Sequence, residues 1–391
     1  MTIIIFILIL AILILIHELG HFIMAKKNDI LVEEFGFGFP PRLWSKKSGE
    51  TIYSINLLPV GGFVKLFGEE YQEIEPGRLR SKAGKPLRLN INKAFVSKKP
   101  WQKTLVILGG VLMNIFLAVF IYYVLLAGNN FQSEPLPLFN NYQFRFGQQQ
   151  GRTVVTNVVK NSPAYLAGVK DQDIIARMKI FNGQWIEINS GRQMIDTIGR
   201  LTNIPILIEM VNLKNNQKKQ LLIKPIYDNK LNRSIIGVQL IDSVIIKYDR
   251  PLEKLLSGFF HSYNILIYNI KTFAYLFKSA YQEKKVEIIS QSVSGPIGIF
   301  SIIQDLVKTS GEKFIINFLN VLAALSLSLA LINIFPFPAL DGGRLVFVLG
   351  EWLTGKPVNR RVESIVNLSG FAILITLAII ISIIDILRLI K

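Results

Sequence analysis

The sequence contains no cysteine, which excludes disulfides and thiolate metal ligands outright. Histidine is scarce as well: three in 391 residues, at positions 17, 21 and 261. Acidic residues are the sparse sign of charge, 27 against 44 Lys and Arg, for a formal net charge of +17. Such a surplus could suit nucleic acid. Half of the residues are hydrophobic, however, and basic residues beside apolar runs set membrane topology and contact anionic lipid. We therefore expect membrane lipid and no nucleic acid as a partner. The N-terminus also lacks a basic n-region and a small-residue cleavage site, and its apolar run exceeds a typical h-region. It reads as a retained helix and not as a cleaved signal peptide.

Residues Ile3 to Ile16 are apolar without a break, and Phe22 to Ala25 resume the run before Lys26-Lys27. About 20 apolar residues cover a hydrocarbon core of ~30 Å, so this is a membrane span. Inside it sits His17-Glu18-Leu19-Gly20-His21. Polar side chains at that depth are expensive and mark function. On a helix, positions 17 and 21 share a face one turn apart, where two imidazoles can hold one zinc with Glu18 beside them as base. The bland alternative is a set of buried polar residues hydrogen-bonded to neighbouring helices. Two of only three histidines in one motif favours the metal.

Lys26 and Lys27 place the end of the first span in the cytoplasm. The basic segment 28–103 follows, with an aromatic, glycine-punctuated stretch at 35–41. Thr51 to Lys65 then reads as two short strands around a Pro/Gly turn. Two readings remain open: a hairpin packed on the bilayer surface, or an edge strand reaching the active site, able to bind a peptide by strand addition. The charged stretch 69–93 is expected to be a mobile excursion. The second span covers 104–128, where Gly109-Gly110 and Asn114 suggest close helix packing and an interhelical hydrogen bond. Residues 129–250 form a water-exposed α+β module. In it Ser162 caps a helix begun by Pro163, Gly168 stops that helix, and Asp173-Ile174-Ile175 opens a strand. These features resemble PDZ domains of bacterial envelope proteases. Residues 251–312 are apolar but studded with Glu253, Lys254, His261, Asn264, Asn269 and Lys271, as suits amphipathic helices lying on the membrane. The third span lies in 313–343 and breaks at Pro336 and Pro338. Residues 344–391 hold a cytoplasmic loop and the fourth span, in which Asp385 and Arg388 are expected to form a surface pair.

A catalytic zinc usually takes three protein ligands. His261 lies just after the exposed domain, far from the motif in membrane depth, so a carboxylate from another span is expected, and Asp341, after the broken backbone of the third, is the candidate. A helix-end cap is its alternative role. Counting crossings then constrains 253–280. If that stretch crossed, Asp341 would emerge on the side opposite the histidines. Four spans with both termini outside follow.

His17-Glu18-x-x-His21 with Asn333-x-x-Pro336-x-Pro338-x-Leu340-Asp341-Gly342 resembles the site-2 protease family of intramembrane zinc metalloproteases, of the bacterial regulator-of-sigma-E protease type. Leu58-Pro59-Val60-Gly61-Gly62-Phe63, Gly109-Gly110 with Asn114, and Ser294-Gly295-Pro296-Ile297-Gly298 match it as well. Only one PDZ-like unit is visible, where some members have two. The resemblance implies a polytopic α-helical membrane protein of four transmembrane helices, with a cytoplasmic membrane-associated β-hairpin and an inserted extracytoplasmic α+β PDZ domain. It implies zinc on His17, His21 and Asp341, Glu18 as base, and substrate contacts at Asn333, Pro338, Gly61 and Gly62. It further implies a bacterial inner-membrane location, with single-span membrane proteins or remnant signal peptides as substrates. Oligomeric state is left open. A metal transporter would have no use for Glu18 or a PDZ module, and a non-catalytic scaffold would need none of the four site residues.

Overall fold

The computed structural model describes residues 1–69, 72–75, 78–80, 91–138, 142–180, 183–212, 217–283, 295–356 and 358–390. Most of the stretch 69–93 expected to be mobile, and Ser294, lie outside them. The chain divides into two compact units: residues 1–121, 273–309 and 317–391, and residues 122–272 with 310–316.

In the first unit, helix α1 (Thr2–Lys27) is apolar all round above its motif. It packs against α2 (Pro100–Gly128), with the third quarter of α1 beside the first third of α2. A Cβ on Gly20 would lie 2.1 Å from the Gly109 carbonyl oxygen, so glycine is what lets the backbones touch. The two helices run antiparallel, since His17 meets Asn114 while His21, further along α1, meets Val106, earlier in α2. Helix α7 (Pro296–Thr309) ties together α1 and α10 (Arg360–Ile390). Phe300 packs edge-on to Phe6 at 5.7 Å, and the Asp385 carboxylate accepts from the amides of Gly295 at 2.9 Å and Gly298 at 2.8 Å. The start of α1 and the end of α10 thus lie at one end of the unit. Asp385 is 2% exposed. The expected pair with Arg388 forms, with Oδ1 3.5 Å from the guanidinium, but it is not a surface pair: the buried carboxylate sits at the head of α7, where its other oxygen satisfies amides that the helix leaves free.

Between α1 and α2 the chain forms β1 (Val32–Ser48) and β2 (Thr51–Leu66). Their register corrects the expected small hairpin within 51–65. Phe35 faces both Val64 and Tyr53, so residues 34–37 lie between 52–55 and 62–65, while 51–56 also pairs with 42–48. Thr51–Asn56 and Gly62–Leu66 are the two ends of one continuous strand, β2, and are not each other's partners. The first part of β1 separates them, and 62–66 becomes an outer strand. Phe22 of α1 packs on Phe35 at 5.3 Å and near Tyr53, which fixes the sheet to the helix. A short pair follows, β3 (Gln72–Glu75) with β4 (Arg78–Arg80).

Among the described residues, four helices are long and apolar enough to cross a membrane: Thr2–Lys27, Pro100–Gly128, Gly311–Ile334 and Arg361–Arg388. The third comprises α8 (Phe314–Ile334) and the turn before it. Leu368, Ile379 and Leu387 of α10 are at least half exposed, as suits a lipid-facing surface.

The second unit is the expected α+β module. Its sheet has the order β10-β9-β7-β6-β13-β5, with β8 on β7, where β5 is Leu136–Pro137, β6 Gln148–Val158, β7 Asp173–Ile180, β8 Trp185–Glu187, β9 Ile206–Asn212, β10 Lys218–Ile223 and β13 Val238–Lys247. β11 (Ile226–Asp228) pairs with β12 (Arg233–Ile235). Ser162 caps α3 (Pro163–Leu166) through the Tyr165 amide, as its sequence predicts, and α4 (Gly191–Ile198) is capped likewise by Ser190. Val155, Ile175, Met178, Met194, Ile206, Ile208 and Met210 form the core.

Helix α5 (Pro251–Leu255) leads into α6 (Ser257–Glu283), which is not among the four candidate spans. Its polar residues divide. Asn269 and Lys271 are exposed, but His261 and Asn264 are buried within the second unit. Asn264 donates to the Phe146 carbonyl at 2.8 Å and to the Tyr248 hydroxyl, and Tyr248 contacts His261 Nδ1 at 3.1 Å. Burial pushes the His261 imidazole down to about 4, so it is neutral at pH 7. These side chains face protein and not water, because each finds a partner there.

Replacing Asp385 by alanine leaves the Gly295 and Gly298 amides without their acceptor. Thermal unfolding in detergent is expected to show a loss on the order of 2 kcal/mol, with a smaller loss for Asp385→Asn, which keeps one acceptor.

Candidate metal centre

The site is built in the first unit. His17 and His21 lie one turn apart on α1, with ring centroids 4.8 Å apart. They pack against Gly110 of α2, where a Cβ would fall 2.5 Å from His21 Nε2 and 2.6 Å from His17 Cε1. A side chain at 110 would occupy the space of the imidazoles. The paired glycines thus do two jobs: Gly109 brings the backbones together and Gly110 admits the rings.

Asp341 arrives from the broken backbone. α8 stops at Ile334, since Pro336 and Pro338 lack amide donors, and α9 (Asp341–Thr354) begins at Asp341 itself. The first turn of α9 sits on the carbonyls of the break. A Cβ on Gly342 would lie 2.2 Å from Phe335 O, and one on Gly343 2.3 Å from Phe337 O. The break is held by α10, where the Asn367 side chain accepts from the Ala339 amide at 3.2 Å and Gly370 abuts Pro338. Protein groups thereby satisfy the irregular backbone, as membrane depth requires.

Three potential ligand atoms converge. His17 Nε2 and His21 Nε2 are 3.2 Å apart, and Asp341 Oδ2 lies 3.1 Å from the first and 3.4 Å from the second. Zinc bonds of about 2.0–2.1 Å in a tetrahedron place neighbouring ligands about 3.3–3.4 Å apart. The observed triangle matches that face. The second ring nitrogen of His21 supports the same reading: Nδ1 lies 2.8 Å from the Val106 carbonyl, which can only accept, so Nδ1 carries the proton and Nε2 is a lone pair. Asp341 Oδ2 is buried and receives no hydrogen bond. Lone pairs this close in a poorly solvated place repel one another unless a cation sits among them. The donor set therefore fits zinc, with two imidazoles and one carboxylate leaving a fourth position open.

A cavity of about 220 Å³ opens on this triangle. Glu18 lines it, and so do Gly62, Phe63, Val64 and Leu66 of the outer strand. Gly62 is tight against α1, with a Cβ there falling 3.1 Å from Glu18 Cγ. Gly61 has φ of +117° and abuts the Phe39 ring. Asn333 Nδ2 lies 3.4 Å from His17 Nε2, at the end of α8. Pro338 is not among the cavity-lining residues and instead packs on α10. His261 belongs to the other unit, bonded to Tyr248.

Sequence reasoning missed Glu69 and Arg344, an ion pair on the cavity wall. Arg344 sits three residues after Asp341, so the two share one face of α9, a signal that was available. Glu69 follows β2, and nothing in its own neighbourhood marks it. Their pairing fixes the end of the outer strand to the helix that carries Asp341. Lys103 and Glu351, 2.8 Å apart, similarly join α2 to the end of α9.

Comparison with known proteins bears on the chemistry. A profile described as Peptidase family M50 matches residues 5–377. Zinc metalloprotease RasP of Bacillus licheniformis is 27% identical over 473 aligned positions, covering 99% of both chains. Regulator of sigma-W protease RasP of Bacillus subtilis is 28% identical over 461 positions, again 99% of both. Among solved structures, the PDZ domain of an SdrC-like protein from Listeria monocytogenes matches with a TM-score of 0.20 and 19% identity, over 26% of this chain and 93% of that one.

Asp341→Ala is expected to lower zinc affinity by more than about 100-fold, since even outer groups around a metal are worth 10- to 100-fold. Asp385→Ala, a buried carboxylate elsewhere, should leave zinc content unchanged. Metal analysis of purified protein after dialysis against a weak chelator distinguishes the two.

Proposed function

This chain belongs to peptidase family M50 and is a zinc metalloprotease, and from that premise we propose that it cuts single-span membrane proteins, such as anti-sigma-factor-like proteins or remnant signal peptides, within the bilayer. The observation that carries the reading is the triangle of His17 Nε2, His21 Nε2 and Asp341 Oδ2 at 3.1–3.4 Å, placed in apolar helices beside Glu18. Zinc held by these three residues would supply a Lewis acid for the scissile carbonyl and a water of lowered pKa.

Glu18 is the base. It takes the proton that the attacking water gives up and returns it to the departing amine nitrogen. Its position in the cavity next to the His17 and His21 side chains supports this role. A transmembrane helix hides its carbonyls in internal hydrogen bonds, so a substrate must unwind before it is cut. Strand 62–66 offers the unwound segment new partners: among the described residues it pairs on one side only, with 32–37, and it borders the cavity. Pairing there would offset part of the cost of unwinding and orient the peptide. Asn333, close to His17, is suited to contact the substrate backbone at the point of attack.

Charge and packing support one topology. Lys26 and Lys27 hold the end of α1 in the cytoplasm. α2 runs back outward, so the α+β domain is extracytoplasmic. Asp341 meets the histidines only if α8 runs inward again, which leaves α6 on the outer surface and not across the membrane. α10 returns outward, in keeping with Asp385 beside Gly295 and Phe6 beside Phe300.

Two experiments test this reading. Glu18→Gln should retain zinc while slowing cleavage of a model single-span substrate by at least about 100-fold; loss of metal together with activity would make Glu18 a ligand instead. The second uses the absence of native cysteine. Single cysteines at Tyr281 and Lys308, both exposed, should react with an impermeant thiol reagent from outside intact cells, and one at Lys47 should not. Labelling of Lys308 only after permeabilisation would refute the four-span arrangement.

A further inference from the structure

We propose that Asn114 is a positioning residue for the metal: its side-chain oxygen accepts a hydrogen bond from His17 Nδ1–H and so presents Nε2 as a lone pair to zinc. This rests on the reading of His17 as a ligand. Asn114 is fully buried in α2, and its amide lies 3.2 Å from His17 Nδ1. With the amide nitrogen placed toward the ring, two things go wrong. Nδ1 would have to be the acceptor, so the proton would sit on Nε2, pointing into the triangle with His21 and Asp341. The Asn114 Oδ1 atom would also be left buried without a donor, as it stands in the structure.

Rotating the amide by half a turn exchanges its nearly isosteric oxygen and nitrogen. The oxygen then accepts from the ring, the amide nitrogen takes the oxygen's former place, and His17 takes the tautomer that a metal ligand needs. The result matches its neighbour, since His21 Nδ1 is held in the same way by the Val106 carbonyl at 2.8 Å. Both acceptors come from α2, one from backbone and one from a side chain, so only the second can be removed by mutation. The Asn114 residue is itself tied to α8, whose Ser326 hydroxyl donates to its backbone carbonyl at 2.8 Å. Asn114 therefore links the helix of His17 to the helix that leads to Asp341.

The test is competition for zinc between a chromophoric chelator and the full-length, detergent-purified chain, with thermal stability of the metal-free protein measured alongside. Asn114→Leu, similar in size but unable to accept, should bind zinc about 10- to 100-fold more weakly. Asn114→Asp, which can only accept when ionised, should bind at least as tightly as the parent chain. Zinc affinity of Asn114→Leu equal to that of the parent would overturn the proposal, leaving Asn114 as packing. So would an Asn114→Asp variant as weak as Asn114→Leu, because the contact would then need the amide's donor. If Asn114→Leu does not accumulate, Asn114→Asp decides by itself: retained affinity supports the proposal and lost affinity refutes it. His17→Ala is the separate control. Undiminished zinc binding there would remove His17 as a ligand, whatever Asn114 does.

Discussion

Three potential ligand atoms are brought within 3.1–3.4 Å of one another in a place that water hardly reaches. Such an arrangement is repulsive unless a cation is held at its centre, and the surrounding protein is organised to maintain it. Gly109 and Gly110 let α2 approach α1 until the imidazoles rest on backbone. The Val106 carbonyl takes one imidazole proton. The result is a donor set whose orientation is decided by helix packing, before any metal arrives.

The carboxylate needs a different device. A side chain on an unbroken helix would continue in the direction of the span, whereas Asp341 opens a new helix after a break. Prolines end α8, and α10 supplies a hydrogen bond and a flat contact at Gly370 for the exposed turn. Gly342 and Gly343 let the next helix settle onto carbonyls that would otherwise face hydrocarbon. The short motif around Asp341 is thus a packing solution as much as a chemical one: each small residue removes a clash that would move the ligand.

Access is set by the sheet. Because residues 34–37 insert between the two halves of β2, strand 62–66 is pushed to the outside, beside the cavity. The Glu69–Arg344 pair then holds the end of that strand to the helix bearing Asp341. The strand and the helix that carries Asp341 therefore both border the cavity that opens on the three ligand candidates.

The four long apolar helices, the helix cap at Ser162, the His17–His21 pair and the candidacy of Asp341 were legible in the sequence. Each depends on local periodicity, on capping chemistry or on the expense of burying polar groups in lipid. Those constraints act within a few residues, or within one bilayer thickness, and leave their mark on composition. Other features were not legible. Asp385 reads locally as an i, i+3 partner of Arg388 and is one, but its other oxygen is buried against the amides of Gly295 and Gly298, some ninety positions away. Residues 51–65 read as a self-contained hairpin, but β1 lies between their two ends. His261 and Asn264 read as the wet face of an amphipathic helix, but they bond Tyr248 and Phe146. In each case the deciding partner is distant in the chain. A polar group's free energy depends on which acceptor or donor reaches it, and only the tertiary structure brings that partner within 3 Å or so of it.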